Sequence, residues 1–182
     1  MPVSVVHEFR VEEVQILDEH GNVDAEREPD LNGDTQVSMY RTTTLARQAD
    51  QRMLKLQRQG RVGTFPLCTG HEAASVGASY AMREDDWFVG AFRELGARLH
   101  RGEPLENYFL GYNGYEEGNV QPTNGNGKTR LLPISIIVGA QTLHATGIAY
   151  AMKHRGEDSA VVTFFGDGAT SIGAVHEAMN MA

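Results

Sequence analysis

Gly166-Asp167-Gly168-Ala169-Thr170-Ser171 stands between a run of apolar and β-prone residues, Ala160-Val161-Val162-Thr163-Phe164-Phe165, and a helical pattern that ends in Glu177-Ala178-Met179-Asn180. This order predicts a buried strand, a tight turn and the start of a helix. Glycines at such a turn let the backbone approach an anion, and the free N–H groups of a helix N-terminus face phosphate oxygens. The carboxylate of Asp167 is then placed to hold a divalent cation that bridges two phosphates. Gly-Asp-Gly taken alone is also an ordinary turn. The flanking strand and helix signals favour a site for a magnesium diphosphate.

A second group of residues shares this logic. Asp85-Asp86-Trp87-Phe88-Val89 reads as a turn entering a short buried strand, and Gly90-Ala91-Phe92-Arg93-Glu94 leads into a helix. Arg93 falls at a strand-to-helix junction, and in parallel α/β sheets these junctions line the ligand crevice. It is therefore a candidate for the same anion as Gly168, with an ordinary surface salt bridge as the competing reading.

The elements that must position these residues follow from periodicity and breakers. Val37, Tyr40, Thr44, Leu45, Ala49, Met53 and Leu56 recur every three to four residues, with Asp34 as the N-cap and Gly60 as the stop of a long helix. A second helix, rich in Ala, Gly and Ser, is expected from His71 to Met82. Gly111 to Arg130 is dense in Gly and Asn, including Asn124-Gly125-Asn126-Gly127, and reads as a long loop that is either a lid or disorder. Leu131 to Val138 approaches a buried segment, Gly139 breaks it, and a helix from Ala140 to Lys153 returns to the strand before Gly166. Residues 1–34 read as an extended acidic arm with at most a short hairpin around Val14 to Asn22.

Composition bounds the function classes. The chain has 182 residues, 41% of them hydrophobic, which suits one α/β domain over 35–182 behind the arm. Sixteen Lys and Arg against 24 Asp and Glu give a net charge of −8, which argues against nucleic acid as a partner. Arg52, Lys55, Arg58 and Arg61 are spaced like one solvated helix face. A single cysteine, Cys68, excludes an internal disulfide and fits a reducing cytoplasm; a small buried residue explains it as well as a nucleophile does. No stretch reads as a signal or membrane segment. Gly127-Lys128-Thr129 is not a nucleotide P-loop, because Pro122 stands where the first glycine is required.

Four motifs occur in an order shared with one family: Gly70-His71-Glu72-Ala73, Phe92-Arg93-Glu94, Ile136-Ile137-Val138-Gly139-Ala140-Gln141, and Gly166-Asp167-Gly168 through Ala182. From about residue 35 onward the chain resembles the alpha subunit of the thiamine-diphosphate-dependent component of 2-oxo acid dehydrogenase complexes, the pyruvate and branched-chain enzymes above all. The resemblance implies a parallel sheet with helices on both faces, the diphosphate-binding half of the thiamine diphosphate fold. It implies that Phe92 and Arg93 contact the diphosphate, that Asp167 ligates magnesium, that Gly168 and Ala169 supply backbone contacts beside it, and that Gly166 belongs to the same cofactor site. The resemblance further implies that the backbone at Ile136 and the side chain of Val138 hold the aminopyrimidine and press the cofactor into its bent form, although a purely packing role for Val138 needs the same residue type. The resemblance also sets Gln141 at a position of the structural cation loop of the branched-chain enzymes, and Ile137 and Ala140 depart from that loop's pattern, so a cation site here stays open.

The same resemblance implies partners: a beta subunit that completes the active site in a heterotetramer, a lipoyl acyltransferase, and a small 2-oxo acid as substrate. Pyruvate is the first expectation, with a branched-chain 2-oxo acid or acetoin dehydrogenase next and a noncatalytic assembly partner as the reading from another class. Several positions depart from the family. Phe92 replaces the usual Tyr, His71 the usual Gln, and Ile172 a polar residue, while Pro66 stands where animal pyruvate enzymes carry a substrate-facing His. No catalytic residue is assigned within the chain. The second magnesium ligand and the catalytic His are expected beyond Ala182, so the chain reads as an amino-terminal fragment.

Overall fold

The computed structural model describes residues 3–122 and 130–182. It divides into two compact units, Met1–Gln36 and Val37–Ala182. In the first, the described residues carry an antiparallel bridge, Leu17 with Val23, a turn closed on the Asp24 carbonyl by the Arg27 and Glu28 N–H groups, and the start of the first helix. Asp18 organises the turn between Leu17 and Val23 by accepting the N–H groups of His20 at 2.9 Å and Asn22 at 2.8 Å. The stretches Asn124-Gly125-Asn126-Gly127 and Gly127-Lys128-Thr129 lie outside the described residues.

The element order is α1 (Gly33–Arg58), α2 (Glu72–Ala81), β1 (Trp87–Val89), α3 (Leu95–His100), α4 (Leu105–Tyr112), α5 (Ala140–Arg155), β2 (Val161–Thr163) and α6 (Gly173–Met181), with 3₁₀ turns at Glu116–Asn119 and Asp167–Ser171. The cap of α1 is Asn32 rather than the expected Asp34, since Asn32 Oδ1 accepts the Thr35 N–H at 2.8 Å. The buried face of α1 consists of Ala46, Ala49, Asp50 and Met53, the i, i+3, i+4, i+7 pattern of one stripe. Val37, Tyr40 and Leu45, expected in that stripe, are exposed.

The helix expected to follow Arg93 is two helices, α3 and α4. Gly102 adopts φ +87° between them, and Pro104 precedes α4; neither residue continues a helix. Ala46, Ala49 and Met53 pack with Cys68, Leu95 and Tyr108 in the main core, and Phe88, Ala97 and Leu131 form a second cluster joined by Phe164. At Gly96, a Cβ would stand 2.6 Å from Val76 Cγ2, so α2 and α3 approach more closely than any other residue there permits.

β1 and β2 form a parallel pair with Trp87 opposite Val161, Phe88 opposite Val162 and Val89 opposite Thr163. The Phe88 N–H donates to the Arg130 carbonyl at 2.8 Å, and the Leu132 N–H donates to the Phe88 carbonyl at 3.2 Å, which adds one further parallel bridge, Phe88 with Leu131. The mixed α/β architecture with a small parallel sheet agrees with the expected class. The buried segment expected over Leu131 to Val138 shrinks to Leu131 alone, because Ile136, Ile137 and Val138 are exposed and the backbone there pairs with no strand.

Candidate functional site

Parallel neighbours end at the same edge of a sheet, so the turns after β1 and β2 must meet there. They do. A cavity of ≈ 370 Å³ is lined by Ala91, Phe92, Arg93 and Glu94 after β1, by Phe164, Phe165 and the Gly166–Ala169 turn after β2, and by Val138 and His71. Phe92, Arg93, Val138, Gly166, Asp167, Gly168 and Ala169, singled out in the sequence, all face this one space. Ile136 does not. It lines an adjoining apolar groove of ≈ 250 Å³ with Thr64, Phe65, Pro66, Phe92 and Tyr112, and Phe92 is the wall common to both spaces.

The turn after β2 differs from the expected helix start. Asp167–Ser171 is a 3₁₀ turn, and α6 begins only at Gly173. The Ala169 N–H closes this turn on the Gly166 carbonyl at 3.0 Å, and Ala169 is 1% exposed, so its amide is occupied within the protein. Asp167 and Gly168 are the leading residues of the turn, whose N–H groups have no acceptor inside it. Both Gly166 and Gly168 have open space where a Cβ would stand. Among the described residues no side chain pairs with the Asp167 carboxylate, and no three His, Cys, Asp or Glu side chains cluster as a metal site.

Arg93 forms no surface ion pair with a described acid. Its Nη1 donates to the Leu67 carbonyl, and its guanidinium lies 5.5 Å from the centre of the Phe92 ring. Leu67 belongs to a loop fixed by a buried carboxylate. Asp50, fully buried on α1, accepts the N–H groups of Cys68 at 2.9 Å and Thr69 at 3.1 Å and the Thr69 hydroxyl at 2.5 Å. Next in the chain, Glu72 receives a two-point ion pair from Arg47 and the Gly70 N–H at 2.8 Å. The Arg47 hydrogen bond holds the Glu72 carboxyl down at about 2. Burial pushes the Cys68 thiol up to about 11, with its Sγ 3.6 Å from the Tyr108 hydroxyl, so the cysteine is a packed core group and not a nucleophile.

Two titratable cavity residues had no role assigned from the sequence, His71 and Glu94. Glu94 is 5% exposed, and burial raises its pKa above the ordinary carboxylate value. His71 Nε2 lies 3.8 Å from Glu94 Oε1. Both sit in quoted motifs, but burial and mutual distance leave no mark on sequence spacing. Val138 is joined to the site through Gln141, whose Nε2 donates to the Phe164 carbonyl at 2.7 Å.

The parallel α/β scaffold thus sets a glycine turn and an arginine at adjacent strand ends around one cavity. The family description "Dehydrogenase E1 component" matches residues 40–182, and the chain belongs to that family. Among its relatives, the 3-methyl-2-oxobutanoate dehydrogenase subunit alpha of Mycobacterium tuberculosis is 39% identical over the whole chain and 49% of its own length. The pyruvate dehydrogenase E1 component subunit alpha of Acholeplasma laidlawii is 40% identical over 91% of the chain and 47% of its own length. That of Staphylococcus aureus is 36% identical over 95% of the chain and 46% of its own length. The chain thus spans about half the length of the curated relatives it matches. Among the described residues, no helix is long and apolar enough to cross a membrane.

Proposed function

We propose that the chain is the diphosphate- and metal-binding part of the alpha subunit of a thiamine-diphosphate-dependent 2-oxo acid dehydrogenase, with pyruvate as substrate and the acyl group passed to the lipoyl arm of an acyltransferase. The observation that carries this reading is the cavity that gathers Phe92, Arg93, Val138 and Gly166–Ala169 from separate segments of the chain. Its residues fit a magnesium diphosphate: open space at Gly166 and Gly168, a guanidinium at Arg93, and an Asp167 carboxylate with no side-chain partner among the described residues. Thiamine diphosphate, when bound, supplies the nucleophilic carbon and the electron sink for decarboxylation.

The protein's own residues bind and orient. Arg93 and the Gly168 amide hold phosphate oxygens, while Asp167 supplies one charged oxygen to magnesium. Val138 would support the cofactor's bent form, and the backbone at Ile136 would hold the aminopyrimidine. Contact from Ala169 is van der Waals, since its amide is used within the turn. The remaining ligands, the residues that move protons, and the complete sheet with helices on both faces come from the rest of a longer subunit and from a beta subunit, in a cytoplasmic heterotetramer.

A branched-chain 2-oxo acid is the second reading, and the apolar groove favours it. Phe65, Pro66, Phe92, Tyr112 and Ile136 surround it with no charged side chain, which suits an alkyl group larger than methyl. Each added methylene in such a pocket shifts kcat/KM by about 10-fold or more. The ratio of kcat/KM for 3-methyl-2-oxobutanoate over pyruvate separates the two. In the full-length subunit assembled with its beta partner, Asp167→Asn abolishes metal-dependent cofactor retention; unchanged retention by calorimetry rejects the metal assignment. Wild-type protein that releases no carbon dioxide from any 2-oxo acid rejects the enzyme and leaves an assembly partner.

A further inference from the structure

The cavity contains a misfit. Its anion-binding elements, Arg93 and the Gly166–Ala169 turn, share the space with the Glu94 carboxyl, and two negative groups in one partly enclosed cavity oppose each other. Glu94 is nevertheless built in. Its Oε2 accepts the Arg93 N–H at 3.2 Å, which fixes the turn after β1, and its Oε1 points toward His71 Nε2 at 3.8 Å. His71 precedes the first residue of α2, packs edge-on against Phe164 with ring centres 5.9 Å apart, and lines the same cavity.

We propose that His71 and Glu94 form a proton-accepting pair: when the diphosphate enters, the pair takes up a proton, His71 becomes a second cationic contact beside Arg93, and cofactor affinity becomes linked to pH. The inference rests on the diphosphate reading given above. An entering anion stabilises the protonated form of any titratable neighbour, and His71 and Glu94, 3.8 Å apart, are close enough for the charge on one to act on the other.

The other groups around the pair do not compete for that proton. Arg93 is always charged, and Asp167 on the facing turn is the proposed metal ligand. Glu72, next to His71, is held as an anion by Arg47. Cys68, from the loop before α2, is pushed up to about 11, and burial moves Tyr112 of α4 upward as well. Arg98 on α3 is turned to Glu103. Burial of Glu94 places its own titration nearer neutrality than an exposed carboxylate's.

The test is calorimetric titration of the full-length subunit, assembled with its beta partner and saturated with magnesium, by thiamine diphosphate in two buffers of different ionisation enthalpy. Wild-type protein should take up more protons per cofactor than His71→Gln, by a fraction of one proton up to one. Its affinity should weaken as pH rises, by at most about 10-fold per pH unit relative to His71→Gln, because a single proton is linked. Glu94→Gln, which keeps an acceptor for the Arg93 N–H, should also reduce the uptake. Equal proton uptake and equal pH slopes in wild type and His71→Gln overturn the pair while leaving the diphosphate reading standing. Wild-type protein that binds no thiamine diphosphate overturns both. The His71 ring proton resonance provides a variant-free check: it should shift downfield on cofactor addition near neutral pH, and an unmoved resonance contradicts the proposal.

Discussion

Gln141 and Phe164 are joined by a 2.7 Å hydrogen bond, from the side-chain amide at the first turn of α5 to the carbonyl just past β2. The bond ties the segment carrying Val138 to the strand that ends in Gly166–Ala169. Gln141 is 2% exposed, and its Oε1 has no partner among the described residues. Gln141→Met keeps the volume but leaves the Phe164 carbonyl without its donor. The expected loss is about 1 kcal/mol of stability, the lost bond being partly offset by removal of the orphan oxygen. The measurement is denaturant unfolding of the full-length subunit, and a stability gain above 1 kcal/mol contradicts the tether.

Gly139 sits under the same junction with φ +82°, and a Cβ there would lie 2.7 Å from Val175 Cγ2. A side chain is strained by the backbone and blocked by α6 at once. Gly139→Ala should destabilise the protein by about 2 kcal/mol. Val175→Ala in the same background should return part of that loss, since it removes the clash but not the backbone strain. Val175→Ala alone is the control, since it opens a cavity at a fully buried position; losses that simply add in the double variant would show that packing against α6 is not the cause.

Arg93 and Phe92 make different predictions for cofactor affinity. Arg93→Ala removes a charge-assisted donor and should weaken thiamine diphosphate binding by about 1.5 to 3 kcal/mol. Phe92→Tyr adds a hydroxyl at the wall between cavity and groove, and should leave affinity equal or tighten it by up to about 1 kcal/mol. Fluorescence titration with the assembled enzyme reads both, and wild-type affinity in Arg93→Ala returns the arginine to a surface role.

The Arg47–Glu72 pair sets an acid limit. Glu72 is depressed from an ordinary 4.5 to about 2, so its stabilising contribution is complete above the unfolded value and fades as pH falls from about 4.5 toward 2. Since Arg47 is substantially exposed, solvent screening reduces the contribution to on the order of 1 kcal/mol. Glu72→Gln should flatten this part of the stability-versus-pH curve, as followed by circular dichroism. An unchanged slope between pH 5 and 2 would place the acid sensitivity elsewhere.

Much of the local structure was legible. The apolar runs at Trp87–Val89 and Val161–Thr163 are strands, and the helices expected from Asp34, His71 and Ala140 appear as α1, α2 and α5 within a few residues. The division between α3 and α4 was less visible, because Gly102 tolerates a helix as well as a break until its φ is known. The Gly-Asp-Gly helix start was displaced by a 3₁₀ turn, since Ala169 donates to Gly166 before the α-helical pattern begins.

By itself the sequence marked which residues are candidates for the chemistry and the local elements they terminate, because strand and helix periods and glycine breakers act over a few residues. Only the tertiary structure decided which of them meet. The register Trp87 with Val161 brings Phe92 and Arg93 level with Gly166–Ala169, and a one-residue pattern contains no partner strand. The same packing turned Ile136 into the neighbouring groove and enclosed Glu94 beside His71. Burial and proximity between distant segments are properties of the packed chain, and they set which charges face one another.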